Sequence, residues 1–118
     1  WAKRMASIVN ELMSQGLTVG TWSSICDENQ LPNNLQEELK QYLLQQKIAY
    51  LYGDNSLVHI EPFEQSIQLL HKHTSNQFSI KEAKDILGIS RKYMIPYLEL
   101  CDKLGYTRRQ EDVRVWTN

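Results

Sequence analysis

Arg91 and Lys92 stand side by side, and Arg108, Arg109 and Arg114 follow them inside one stretch, "SRKYMIPYLELCDKLGYTRRQEDVRV", residues 90–115. That stretch holds four of the chain's five arginines. A guanidinium is planar, always charged and carries a fixed fork of donors, so it suits phosphate oxygens and guanine edges better than an ammonium does. The chemistry on offer is therefore anion recognition. Solvated salt bridges to Glu99, Asp102, Glu111 and Asp112 are the plainer use of the same side chains, and surface pairs of that kind contribute little to stability.

The rest of the chain does not dilute this signal. Net charge is −1 over 118 residues, which argues against indiscriminate polyanion binding. The charge is unevenly spread: residues 1–61 carry seven acidic and four basic side chains, and residues 62–118 carry nine basic and seven acidic ones. Such asymmetry between halves points to divided labour.

Catalytic chemistry finds no foothold. His71 and His73 are two residues apart, so on a helix they face different ways, and no cysteine or carboxylate stands at metal-ligand spacing. Neither a phosphate-binding GxxxxGK[ST] loop nor a glycine-rich nucleophile elbow occurs. Cys26 and Cys101 belong to no CxxC pair and read as buried reduced thiols. No apolar run approaches the ~20 residues of a membrane span. The chain opens on Trp1-Ala2-Lys3-Arg4 with no apolar leader pattern, and it is read as part of something longer.

The elements that must position the cations come in two sets. In the first, Met5, Ile8, Val9, Leu12 and Met13 recur at helical spacing up to Gly16. A short β-prone "LTV" follows, then a short helix over "GTWSSIC", a turn, and a stronger helix from Asn34 to about Gln46. "KIAYLY-GDN-SLVHI" reads as a hairpin. In the second set, "EPFEQSIQLLHKH" is a helix with Pro62 in its first turn, "FSI" a short strand and "KEAKDILG" a short helix. "SRKYMIPYLELCDKLG" is a helix N-capped by Ser90 and ended by Gly105, and "YTRR-QED-VRVW" is a second hairpin.

Both sets run helix, short strand, helix, helix, hairpin. Two helices joined by a tight turn and followed by a two-stranded wing are a winged helix-turn-helix. The expected fold is mainly α with small β-hairpins (α+β), in two tandem winged helix-turn-helix modules: 1–61, acidic, and 62–118, basic. In each, the third helix is the recognition helix, and its first turn points at the ligand.

In the second module that turn is Ser90, Arg91, Lys92 and Tyr93. A helix N-terminus favours anions through its free N–H groups and dipole, so two cations there make sense beside a bound phosphate. The wing adds Arg108, Arg109 and Arg114, with Arg108 and Arg114 expected to face each other across the "QED" turn. Like charges so placed repel unless an anion lies between them. Tyr93 is suited equally to stacking on a base and to packing against Tyr97. Pro96, inside the helix, leaves the Lys92 carbonyl without its usual donor or bends the helix. The first module offers Glu37, Glu38 and Asp54 at the equivalent places. It reads as a spacer, a packing partner or a protein contact.

The 90–115 stretch resembles the last winged-helix module of the bacterial selenocysteine-specific elongation factor. The match lies at Ser90, Arg91, Lys92, Tyr93, Pro96, Leu98, Glu99, Asp102, Gly105, Thr107, Arg108, Arg109, Asp112 and Arg114, with "LGIS" at 87–90. The resemblance implies binding of a selenocysteine insertion hairpin in mRNA. It also implies a cytoplasmic, non-enzymatic fragment of a translation factor that needs no cofactor of its own, GTP and Mg belonging to a GTPase part not found in these residues. Partners implied are the mRNA hairpin and, through the first module, the ribosome; no membrane is called for, and a monomer is expected. RNA contacts would fall on Ser90, Arg91, Lys92, Tyr93, Arg108, Arg109 and Arg114. The chain departs from the family in its wing turn, where Gln110-Glu111 replaces the commoner glycine. A DNA-binding regulator and an arginine-mediated protein-interaction module are the rival readings.

Overall fold

The computed structural model describes residues 2–117. They form six helices and five strands in two compact units, 1–63 and 64–118.

In the first unit, α1 (Ala2–Gln15) buries Ile8 and Leu12. Helices α2 (Trp22–Glu28) and α3 (Asn33–Gln45) form the helix-turn-helix, and β1 (Ala49–Tyr52) and β2 (Ser56–His59) form the wing. Thr21 caps α2, its hydroxyl accepting from the Ser24 N–H. The strands pair antiparallel with Tyr52 opposite Ser56, so Gly53, Asp54 and Asn55 make the turn. Leu39, Leu43, Ala49, Leu57, Val58 and Phe63 close the core. Full burial of a Leu, Val or Phe side chain contributes about 1.5–3 kcal/mol.

"LTV" is not a strand. Gln15 captures the chain just after α1: its carbonyl accepts from the Thr18 N–H at 3.2 Å and its side-chain oxygen from the Gly20 N–H at 2.8 Å. Those donors are spent on a turn and cannot enter a ladder. The segment meets the wing through the Trp22 N–H to the Asn55 carbonyl (2.7 Å) and Ser56 Oγ to the Gly20 carbonyl (3.0 Å). The first sheet therefore has two strands.

Helix α4 (Ile60–Lys72) begins in the first unit and continues into the second. The second unit adds β3 (Gln77–Ser79), α5 (Ile80–Leu87), α6 (Arg91–Lys103), β4 (Thr107–Gln110) and β5 (Val113–Trp116). Here the short strand does pair, giving a three-stranded antiparallel sheet in the order β3-β5-β4. A capping box starts α5: Ser79 Oγ accepts from the Glu82 N–H while the Glu82 carboxylate accepts from the Ser79 N–H. Gly88 ends α5 at φ +66°, a left-handed conformation in which any side chain is strained.

The core of this unit gathers Leu70, Phe78, Ala83, Met94, Tyr97, Leu98 and Cys101. Tyr97 OH and Ser66 Oγ share a buried hydrogen bond of 2.9 Å. Trp116 packs at a tilt between His71 and Phe78, with ring centroids 4.6 and 5.1 Å away and interplanar angles of 53° and 52°, and donates from its indole to Thr74 Oγ1 at 2.9 Å. That tie fixes the C-terminal end of β5 against α4. Both cysteines are buried free thiols, and burial pushes each up to about 12. No helix among the described residues is long and apolar enough to cross a membrane.

Candidate nucleic-acid interface

Ser90 is the residue just before α6, at φ −77° and ψ 163°, as expected of an N-cap. Its hydroxyl nevertheless makes no capping hydrogen bond to the helix. The Tyr93 N–H turns back to the Ser90 carbonyl at 3.0 Å, so the N–H groups of Arg91 and Lys92 are the ones at this helix start that an anion would use. Arg91 and Lys92 follow, both exposed. The Lys92 ammonium sits 5.3 Å from the centre of the Tyr93 ring, a cation–π contact, and Tyr93 is half-buried. Helix α6 continues through Pro96 to Lys103.

In the wing, Gln110 pairs with Val113, so the turn is only Glu111 and Asp112. Arg109 then lies opposite Arg114, and Arg108 opposite Val115. This corrects the expected Arg108–Arg114 pairing. A three-residue "QED" turn would have set that register; drawing Gln110 into the ladder shifts it by one. Neighbours along a strand point to opposite faces. Arg109 therefore shares the face of Arg114, and Arg108 lies on the other face with Gln110, which accepts from its guanidinium at 3.3 Å. Glu111 adopts φ +56°, which explains why glycine suits this turn.

Arg114 is not an outward cation. Its side chain is only 9% exposed, and its guanidinium grips Asp102 of α6. Nε lies 3.1 and 3.2 Å from the two carboxylate oxygens and a terminal nitrogen 3.1 Å from Oδ2. Thr107 Oγ1 donates to the same carboxylate at 2.7 Å. The expectation that Arg114 reaches outward beside Arg108 and Arg109 is thereby corrected. It falls on the inward face of β5 with Trp116, as the alternation V-R-V-W places it. Arg109 remains exposed, its Nε donating to the Glu111 carbonyl at 3.4 Å. Between the wing root and α6 lies a cavity of about 200 Å³ lined by Ile80, Ile95, Leu98, Glu99, Arg109 and Arg114. Ile95 is 60% exposed at its mouth. So α6 and the wing are brought to one recess, with Arg109 at its edge and Arg108 on the wing's far side.

The corresponding surface of the first unit is acidic. Glu37 on α3 accepts from Gln41 and ion-pairs with Lys40, both at 3.0 Å. Those contacts hold its carboxyl below the ordinary value, the Gln41 hydrogen bond contributing most. Glu38 and Asp54 are exposed nearby in sequence. Among the described residues no group of three or more His, Cys, Asp or Glu is placed to hold a metal ion.

Helix-turn-helix, wing and a cationic first turn on the third helix define the winged-helix class, here in tandem with only the second copy basic. Comparisons with known proteins narrow that class. Residues 69–116 match the family described as "Elongation factor SelB, winged helix". A bacterial selenocysteine-specific elongation factor, EF-Sec, aligns with 94% of this chain at 28% identity and a TM-score of 0.77, and the chain spans 18% of that protein's length. The mRNA-binding domain of elongation factor SelB from E. coli, solved in complex with SECIS RNA, aligns over 100% of both chains with a TM-score of 0.77. Its 16% identity speaks for the fold. No curated protein sequence matches the chain. Together these likenesses mark the chain as similar to the C-terminal winged-helix region of SelB, as the 87–114 resemblance implied.

Proposed function

We propose that this chain binds a selenocysteine insertion hairpin in mRNA, as the C-terminal part of a selenocysteine-specific elongation factor in the cytoplasm. One observation carries the reading: the exposed Arg91–Lys92 pair at the N-terminus of α6, with the wing's exposed Arg108 and Arg109 on the same module and acidic side chains at the equivalent places of the first. The N–H groups of the α6 first turn, Arg91 and Lys92 take phosphates. Arg108 and Arg109, one on each face of the wing, straddle the backbone. RNA sequence is read mostly at unpaired bases, where aromatic and guanidinium planes stack, and Tyr93 and Arg109 supply such planes. Arg114 has a different task, set by Asp102. The fragment acts by binding and needs no cofactor; GTP, Mg and catalysis belong to the factor's GTPase part. The first module serves as a spacer or protein contact, the ribosome being the partner that fits a translation factor.

The test is equilibrium binding to a selenocysteine insertion hairpin RNA, a duplex DNA and poly-glutamate at two salt concentrations. Preference for the hairpin is expected. Preference for duplex DNA makes the chain a DNA-binding regulator, and preference for poly-glutamate makes it a protein-interaction module.

A further inference from the structure

One carboxylate joins the recognition helix to both strands of the wing. Asp102, on the last turns of α6, accepts from Thr107 at the start of β4 (2.7 Å) and from Arg114 in the middle of β5 (3.1 and 3.2 Å through Nε, 3.1 Å through the terminal nitrogen). The Arg114 side chain is only 9% exposed, whereas that of Asp102 is 29% exposed. A buried cation of this kind is held by its partner, because removing either one strands a charge away from water. Drawing Arg114 out to an RNA phosphate would break that pair.

The hairpin needs such a tie. Two four-residue strands are marginal alone. Strand β5 is secured by β3, but β4 lies at the sheet edge and pairs only with β5. The Thr107–Asp102 hydrogen bond fastens the start of that edge strand to α6. Arg109 is two residues further along, on the same face and opposite Arg114. The angle at which the wing leaves α6 therefore sets how far Arg109 stands from Arg91 and Lys92.

From this we infer that Asp102 is a positioning residue for RNA binding: through Thr107 and Arg114 it fixes the wing against α6, so that cations on two elements meet the phosphates of one hairpin. The inference rests on the RNA-binding reading above. Arg114 is part of this strut and makes no phosphate contact of its own.

Contact and positioning leave different traces in salt. Each phosphate contact contributes about 0.7–0.9 to the slope of log K against log salt. Loss of positioning weakens binding while the number of charges available to RNA stays the same. The experiment uses the whole 118-residue chain, a selenocysteine insertion hairpin RNA, and salt from roughly 50 to 300 mM. The variants are Asp102→Asn, Arg114→Met and Thr107→Val, with amide hydrogen exchange of residues 107–116 measured without RNA. Asp102→Asn and Arg114→Met should each weaken binding about tenfold, the scale of one misplaced charge-assisted contact, with the parent's salt slope kept. Thr107→Val, which spares the ion pair, should lose about threefold and carries the test should the other two fail to fold. Wing amides should exchange faster in all three.

A salt slope smaller by about 0.7–0.9 in Arg114→Met would make Arg114 a phosphate contact and overturn the inference. So would full affinity in Asp102→Asn, or wing exchange unchanged from the parent. Failure of the parent chain itself to bind the hairpin would instead strike the functional reading, with the exchange data still judging the strut.

Discussion

Replacing Arg109 by alanine is the sharpest probe of the proposed interface. Four cations are exposed on the first turn of α6 and the wing: Arg91, Lys92, Arg108 and Arg109; Lys103 lies at the far end of α6, and Arg114 is held by Asp102. If each of the four neutralises one phosphate, log K should fall against log salt with a slope of about −3. Between roughly 50 and 200 mM salt the affinity should then drop about 60-fold. Arg109→Ala removes one such contact, so the slope should relax to about −2.2. At fixed moderate salt the loss should be about tenfold, near 1.4 kcal/mol, at the low edge of what a charged hydrogen bond contributes. Arg91→Ala should behave alike, since its contact is of the same kind. The assay is fluorescence anisotropy of a labelled hairpin titrated at four or so salt concentrations. Because Arg109 is exposed and its guanidinium makes only a long 3.4 Å bond to the Glu111 carbonyl, thermal stability should stay within about 0.5 kcal/mol of the parent. Unchanged slope and affinity in both Arg109→Ala and Arg91→Ala would refute the assignment of the interface.

Other perturbations test the scaffold. Glu111→Gly should stabilise the chain by about 0.5–1 kcal/mol in denaturant melts, since it relieves a residue held at φ +56°; it also removes a negative charge from the wing tip and should tighten RNA binding. Gly88→Ala should cost about 1 kcal/mol in the same melts, through backbone conformation alone, because a Cβ there would meet nothing within 4 Å. Tyr97→Phe should cost about 1–2 kcal/mol by leaving the buried Ser66 hydroxyl without that partner. His59 Nδ1 accepts from the Glu61 N–H at 3.0 Å, and burial, against the pull of Glu61, lowers its pKa from the ordinary 6.5. The folded chain then binds fewer protons than the unfolded one as pH falls past that value, so its stability should be full above pH 6.5 and decline below it. Thermal melts from neutral to mildly acidic pH should show this, and His59→Asn should flatten the decline.

Much of this architecture was legible because helices announce themselves by spacing and punctuation. Ile8 and Leu12, Leu39 and Leu43, and the Gly88-Ile89-Ser90 turn mark helical faces and ends that the fold keeps. The misreadings were local competitions for hydrogen bonds. "LTV" has strand-like residues, but the Gln15 carbonyl and amide claim its neighbours' donors. The wing turn looked three residues long because "QED" is uniformly polar, yet Gln110 pairs with Val113. That single step decides which arginine faces which. The inward direction of Arg114 was present in the alternation with Trp116, but counting charges treats every guanidinium as solvated. Asp102 stood among the salt-bridge partners the sequence offers, but nothing there singled it out or tied Thr107 to it; in the fold Asp102 holds Arg114 and accepts from Thr107.

Strand β4 has one more property. It borders solvent along one side, its outer backbone groups unmatched by a neighbouring strand. Such a rim invites a second chain to dock and start a fibre, and charged side chains are a common deterrent. Arg108, Arg109 and the polar Gln110 make up three of its four residues, all exposed. The same guanidiniums proposed to meet a transcript would thus keep molecules from stacking on each other, and a chain stripped of both should be more prone to precipitate.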